Sequence, residues 1–474
     1  MHESCSLSRS QHLGNKINYL DILKSHQFQL SRTEGMPKFL HAAALLFVIF
    51  AANSAYAVPS FSRQTGLACN VCHTNPPELT AFGRNFKLNG YVLAKKRIGN
   101  NTTSSQDLLL SKTLLLSAMV LISDTAEQTR QPGSGSNTSG FPQQLSLFLA
   151  GEITPHVGGF MQLTYTSESD HFSMDNTDIR YANQASLAGK EWIYGITLNN
   201  NPTVEDLWNS TSAWGFPWIS SNAGVSPIAS PLLLGGLAQD VAGIGGYSMW
   251  DHHFYTNVTL YRSVHVGGPV PPTGMNSSIN ISGAAPYWRA AWQQTLGNNY
   301  LEVGTEGIYL KSHPDVITGR EDSYMDSGLD FQYERPIGVN LLDVHGAFLH
   351  ENSNLKATFA LDGASRPGNH LNSLRLDSTF HWANRYSATG AVFSTIGNAD
   401  RLLYSAAAVT GSRSGKPNTS GYIVQFSYWP AENLDISLAY TGYLTFNGGF
   451  GNYDGAGRNA SDNNTVYLAL WLLE

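Results

Sequence analysis

Three observations on this 474-residue sequence predict an all-β fold, an outer-membrane antiparallel β-barrel of about sixteen strands carrying a small N-terminal helical module. Charged residues make up only 13%, roughly half the usual share, whereas aromatics reach 11% and there are 45 glycines. From about residue 105 onward, apolar and polar residues alternate in segments of roughly ten. The greasiest stretch after residue 57, Leu108 to Ile122, is broken by Ser111, Lys112, Thr113 and Ser117, so a membrane would have to be crossed by strands. Net charge is −7 with no basic block, which sets nucleic-acid binding aside.

Taken in order, residues 1–35 are polar and without periodicity, and read as a mis-assigned start ahead of Met36. Met36-Pro37-Lys38, the apolar run Phe39 to Ala52 and the triplet Ala55-Tyr56-Ala57 read as a secretory signal cleaved after Ala57. A membrane anchor is the other reading, but the run is shorter than the roughly 20 residues a spanning helix needs. The division expected is therefore 1–57 removed, 58–97 a helical module and 98–474 a transmembrane barrel.

Cys5 leaves with the signal, so only Cys69 and Cys72 remain, within Cys69-Asn70-Val71-Cys72-His73. This C-x-x-C-H pattern is the attachment signature of one covalent haem c: two thioethers, with the adjacent His73 as proximal iron ligand. A redox disulfide would want a thioredoxin-like setting, and a zinc site a second pair of ligands; neither is visible. The following segment reads as one short helix, with Pro76 and Pro77 in its first turn, Glu78 at its N-terminus and Gly90 ending it. Leu79, Phe82 and Phe86 form one apolar stripe suited to cover a haem face. Arg84 and Lys87 are either propionate partners or solvated surface charges. Between Thr74 and Ala118 there is no Met or His for a second axial ligand. Either the sixth position is open or the rest of the chain supplies it, and the module is small enough to need docking on or inside the larger domain.

The barrel rests on segments such as Leu329, Phe331 and Tyr333 alternating with Asp330, Gln332 and Glu334. Leu374, Leu376, Phe380 and Trp382 likewise alternate with Arg375, Asp377, Thr379 and His381, and aromatics gather near strand ends. Connections are tight at 155–158 and 430–433 but long near 200–232, 264–284 and 397–418. A β-sandwich or solenoid would also alternate. The charged set on the inner face, however, implies a water-filled lumen rather than a dry core. The chain ends Trp471-Leu472-Leu473-Glu474, without the terminal aromatic of many such barrels.

Residues Pro59 to Gly66, Cys69 to Thr74, Pro77, Leu79, Phe82-Gly83-Arg84, Phe86-Lys87-Leu88 and Gly90-Tyr91 resemble the fused outer-membrane cytochrome–porins. That family includes the iron-oxidising outer-membrane cytochromes, and His171 to Tyr181 and Asn199 to Trp218 resemble its porin half. The resemblance implies a single c-type haem at or in the barrel mouth, passing electrons between an extracellular donor such as Fe(II) and periplasmic electron carriers. For the distal ligand Met119 ranks first, since its strand alternation turns it to the lumen; His171 and Met174 follow. Asp170, Asp175, Asp178, Glu205 and Asp206 could attract Fe(II), but solvated loop carboxylates are the plainer reading. Two other functions stand beside electron transfer: a passive porin with a structural haem, and a haem enzyme such as a peroxidase. The enzyme would need an open sixth position and a distal acid–base group.

Overall fold

The computed structural model describes residues 59–93, 114–264, 279–314 and 319–474. The signal segment, the extension before it and the onset of alternation at residue 105 lie outside these. Strands β1 (Leu116–Glu127), β2 (Asn137–Thr154), β3 (Val157–Thr166) and β4 (His171–Leu187) begin the wall. It continues through β5 (Lys190–Asn199), β6 (Val241–Trp250), β7 (Phe254–Ser263) and β8 (Ala285–Leu296). Next come β9 (Asn299–Ser312), β10 (Asp322–Ile337), β11 (Asn340–Asn354) and β12 (Gly368–Trp382). Last are β13 (Tyr386–Gly397), β14 (Thr419–Ala431), β15 (Leu434–Thr445) and β16 (Thr465–Leu473). Each strand pairs with its sequence neighbours, and β1 pairs antiparallel with β16, so sixteen strands close into a barrel with no free edge.

The sequence dictates which way each side chain faces. Along β7 burial alternates residue by residue: Tyr255, Asn257, Thr259 and Tyr261 are buried, while Phe254, Val258 and Leu260 are exposed. The exposed members of other strands are equally apolar, among them Ile196, Ile244, Leu329, Val424 and Leu468. An apolar outer face on a closed antiparallel barrel is the form in which strands cross a membrane. Tight turns join β2–β3, β4–β5 and the other even–odd pairs, while the odd–even connections at the opposite end are longer, apart from the four-residue turn between β3 and β4. In bacterial outer-membrane barrels the short turns face the periplasm. The turn at Ala188-Gly189 shows why they are short: both residues have positive φ, 54° and 76°, which matches the twist of a two-residue hairpin. At that end Trp382 stacks on Tyr386 and Tyr386 on Tyr428, an aromatic girdle.

The lumen is not the water-filled space that the inner-face charges imply. The connection from 200 to 240 folds into it as a strap. It passes β1 and β2, where Ser221 Oγ meets Thr125 Oγ1 at 2.7 Å and Gln143 Nε2 donates to the Ser220 carbonyl at 2.8 Å. It then returns to β10, where Asp326 Oδ2 accepts from the Leu233 amide at 2.9 Å. Several inner-face charges pair with one another: Arg289 binds Asp206 of the strap together with Asp330 and Glu302 of the wall. Arg180 binds Asp178 at 2.7 Å and Glu205 at 3.2 Å.

Candidate functional site

Residues 59–93 also lie inside the barrel. Helix α1 (Pro59–Thr65) precedes a short turn of helix α2 (Cys69–Cys72), and α3 (Ala81–Leu88) follows. The helix after the motif therefore starts later than Pro76. Thr80 is its N-cap, its hydroxyl accepting from the Gly83 amide at 3.1 Å, and Pro76 to Glu78 form a preceding turn. Gly90, with φ of 70°, follows its end as expected. The motif is locked to α3 through backbone and hydroxyl contacts. The Thr80 amide donates to the Cys72 carbonyl at 2.9 Å, and the Thr80 hydroxyl to the Val71 carbonyl at 2.6 Å. Phe61 stacks on Tyr91 with centroids 5.6 Å apart, tying α1 to the module's end.

The barrel wall grips this module from many sides. The Cys69 amide donates to Glu432 Oε2 at 3.0 Å, Asn75 Nδ2 to Ser387 Oγ at 3.3 Å and Arg84 Nη1 to Glu334 Oε1 at 2.5 Å. Tyr91 OH donates to Asp178 Oδ2 at 2.6 Å, and Tyr247 OH to the Leu88 carbonyl at 2.9 Å. Glu432, Ser387 and Glu334 all sit at or beside short turns, so the module is seated at the short-turn end.

Between module and strap is a cavity of about 390 Å³. Cys69, Cys72 and His73 line it, and Met119 of β1 lines it too. The apolar stripe Leu79, Phe82 and Phe86 faces it, as predicted. Trp471 and Leu473 of β16 complete the wall at the seam with β1, so the terminal-region aromatic points inward. The strap adds Trp214 and Trp218, which the sequence reading did not single out; two tryptophans bracketing Gly215-Phe216-Pro217 in a loop were the available signal.

Electrostatics fit the same picture. Burial pushes the Cys72 thiol up to about 11, which keeps it from being the reactive thiolate that a disulfide-exchange pair needs. Burial holds His73 below its ordinary value, in the neutral form that ligates metal. Its Nδ1 lies 3.1 Å from the Glu78 carbonyl oxygen, and with Nδ1–H donating there Nε2 keeps its lone pair.

His171 and Met174 do not line the cavity; they sit in β4, paired with Thr166 and Leu163. The acidic residues divide. Asp170 is exposed and Asp175 half-buried, accepting from Thr164 and Gln239. Asp178, Glu205 and Asp206 are fully buried and paired with arginines, so the solvated-loop reading fails for them. Arg84 and Lys87 are likewise buried, not surface charges. Arg84 turns to the wall, while Lys87 lines the cavity and donates to the Asp206 carbonyl at 2.6 Å.

The residues present fit a haem. The cavity falls within the roughly 300–1,000 Å³ of cofactor pockets, and its lining is mostly apolar and aromatic. The indole nitrogens of Trp214 and Trp471 are buried without a hydrogen-bond partner in that wall, and the Lys87 ammonium, also in the lining, stands 5.7 Å from the centre of the Trp214 ring. Those donors suit an apolar group with an acidic edge.

No protein-family model and no curated protein matches the sequence. Solved outer-membrane structures are similar in outline. The channel DcaP of Acinetobacter baumannii is 13% identical over 77% of this chain and 99% of its own, with a TM-score of 0.44. OmpT of Vibrio cholerae is 8% identical over 77% and 100%, with a TM-score of 0.42. An anion-selective porin from Comamonas acidovorans is 12% identical over 76% and 98%, with a TM-score of 0.40. This chain is an outer-membrane β-barrel. That assignment rests on its own strand pairing and apolar exterior.

Proposed function

We propose that the barrel carries one covalent c-type haem and passes electrons across the outer membrane, between an extracellular donor and periplasmic carriers. The observation that carries this reading is the meeting of Cys69, Cys72, His73 and Met119 in one aromatic cavity. The two thiols would anchor the group and His73 would hold its iron. Met119 is the thioether best placed as a second ligand. When bound, such a haem supplies one-electron redox chemistry. The chain's own contribution is to fix it: the Glu78 carbonyl orients His73, and the aromatic walls exclude water. The seat at the short-turn end supports delivery to periplasmic carriers.

The test is a visible spectrum of purified outer membranes, taken anaerobically before and after adding Fe(II), with haem counted per chain. One haem that resists acid–acetone extraction, lost in Cys69→Ala/Cys72→Ala, is the expected result, and so is its reduction by Fe(II). Reduction by dithionite but not by Fe(II) would keep the cytochrome and remove iron as donor. A chain that carries no haem yet passes solutes would be a passive porin.

A further inference from the structure

A second group of side chains, none of which lines the cavity, gathers where the module touches β11 and β12. Glu78 comes from the turn before α3, Asp343 and His345 from the inner face of β11, and His381 from β12. Ligand atoms of Glu78, Asp343 and His345 all lie within 4.8 Å of one another. His381 Nε2 stands 3.2 Å from Glu78 Oε2, and His345 Nε2 3.7 Å from Asp343 Oδ1. Glu78 and Asp343 are each 1% exposed and His345 is 3% exposed.

Two features separate this cluster from an ordinary ion-pair network. Glu78 Oε1 and His345 Nε2 are buried and have no hydrogen-bond partner among the described residues, a costly state for either atom. The remaining atoms are held from behind. Asp377 Oδ2 lies 3.2 Å from His345 Nδ1, the carboxylate contact that orients a metal-ligating imidazole and leaves Nε2 to face the ion. Gln332 Nε2 donates to both Asp343 oxygens, at 3.2 and 3.1 Å, and the Thr74 hydroxyl donates to Glu78 Oε2 at 2.9 Å.

We infer that Glu78, Asp343 and His345, with His381 as fourth donor, bind a first-row transition-metal dication across the junction of module and wall. Two imidazoles among the donors favour a zinc-like or ferrous ion over magnesium or calcium, which take oxygen ligands. Tetrahedral ligands about 2.0–2.2 Å from a metal lie roughly 3–4 Å apart, so small side-chain rotations would close the set. The ion is distinct from the haem iron and does not depend on it. It fastens the module to two strands.

The experiment uses the full chain in detergent as purified from outer membranes, with haem content recorded, stripped with chelator and dialysed against micromolar Zn(II), with zinc counted per chain. One zinc per chain is expected beyond the haem iron, with Co(II) giving the visible bands of a tetrahedral site. His345→Gln and Asp343→Asn should each weaken binding at least about 100-fold. Asp377→Asn, which only orients His345, should cost about 10–100-fold. His252→Gln, at an exposed pair with Glu191, should bind as wild type. Wild-type protein without zinc overturns the proposal and leaves a metal-free histidine–carboxylate network. So does zinc retained in both His345→Gln and Asp343→Asn, with barrels shown folded by heat-shifted gel mobility. Displacement of zinc by a tenfold excess of Mg(II) would overturn the nitrogen-donor assignment.

Discussion

At Gly83 a single methyl group decides whether the motif can form. A Cβ built there would stand 2.2 Å from the Cys72 carbonyl oxygen, a backbone atom that cannot rotate away. Gly83→Ala is therefore expected to push α3 off the Cys69–Cys72 turn, and haem per chain should fall several-fold while the barrel still folds. Normal haem content in that variant would show that the turn yields freely. Met119 offers a second test at this scale. In the haem-loaded protein Met119→Ala should convert a low-spin spectrum to high-spin, and Met119→His should restore low spin at a lower potential, since thioether ligation raises it. An unchanged low-spin spectrum in Met119→Ala would place the sixth ligand elsewhere. The inward face of Met119 is legible from strand alternation, whereas the surroundings of Glu78 are not. Its partners, His381 and His345, lie in strands far along the chain, and only closure of the barrel brings them together.

Among the elements, α3 and the strap carry charges whose pairing fixes their place. Burial, with Arg180 nearby, brings the Lys87 ammonium down to about 8 from its ordinary 10.5. Between those values the unfolded chain binds a proton that the seated helix does not, so stability rises as pH rises through the window; below about 8 the full cost of the buried charge is present. In the haem-free chain, protease resistance of residues 59–93 should increase from pH 8 to 10.5, and Lys87→Met should flatten that slope. A slope unchanged in Lys87→Met would assign it to another group. Arg289→Met leaves Asp206, Glu302 and Asp330 buried without their shared cation. A loss of about 3–5 kcal/mol is expected, read as a lower urea midpoint for barrel unfolding. Composition marks the strap as a long loop and makes solvent the plainer place for its carboxylates, Glu205 and Asp206, which the fold buries instead. Loop composition is polar whether the loop faces water or a polar lumen, and the partners Arg180 and Arg289 belong to other strands. The helix start was misplaced for a related reason: Pro76, Pro77 and Glu78 are all favourable in a first turn, and only the Thr80 hydroxyl contact decides between the two starts.

On the scale of the whole molecule, module and strap share a lumen that sixteen strands would otherwise leave open. In planar bilayers the haem-loaded chain should pass far less current than an unobstructed sixteen-stranded pore, and conductance at the open-pore level would mean that the module is not seated as described. The architecture itself was readable because strand periodicity is local and repeats along the chain, so errors at one strand do not propagate. That the module docks inside follows from its small size, but the inward course of the 200–240 connection does not, since no periodic signal records which loop turns inward. The cavity's position carries a final consequence, one of timing. It lies at the junction of β1 and β16, the last pair that the chain can complete, and the module that precedes β1 is enclosed once that pair zips. On the function proposed above, thioether formation would have to come before membrane insertion, with the assembly machinery wrapping the wall around a passenger that is already finished. Cells lacking cytochrome c maturation should accumulate the chain as a periplasmic intermediate with an unsealed junction, not as an empty barrel awaiting its pigment.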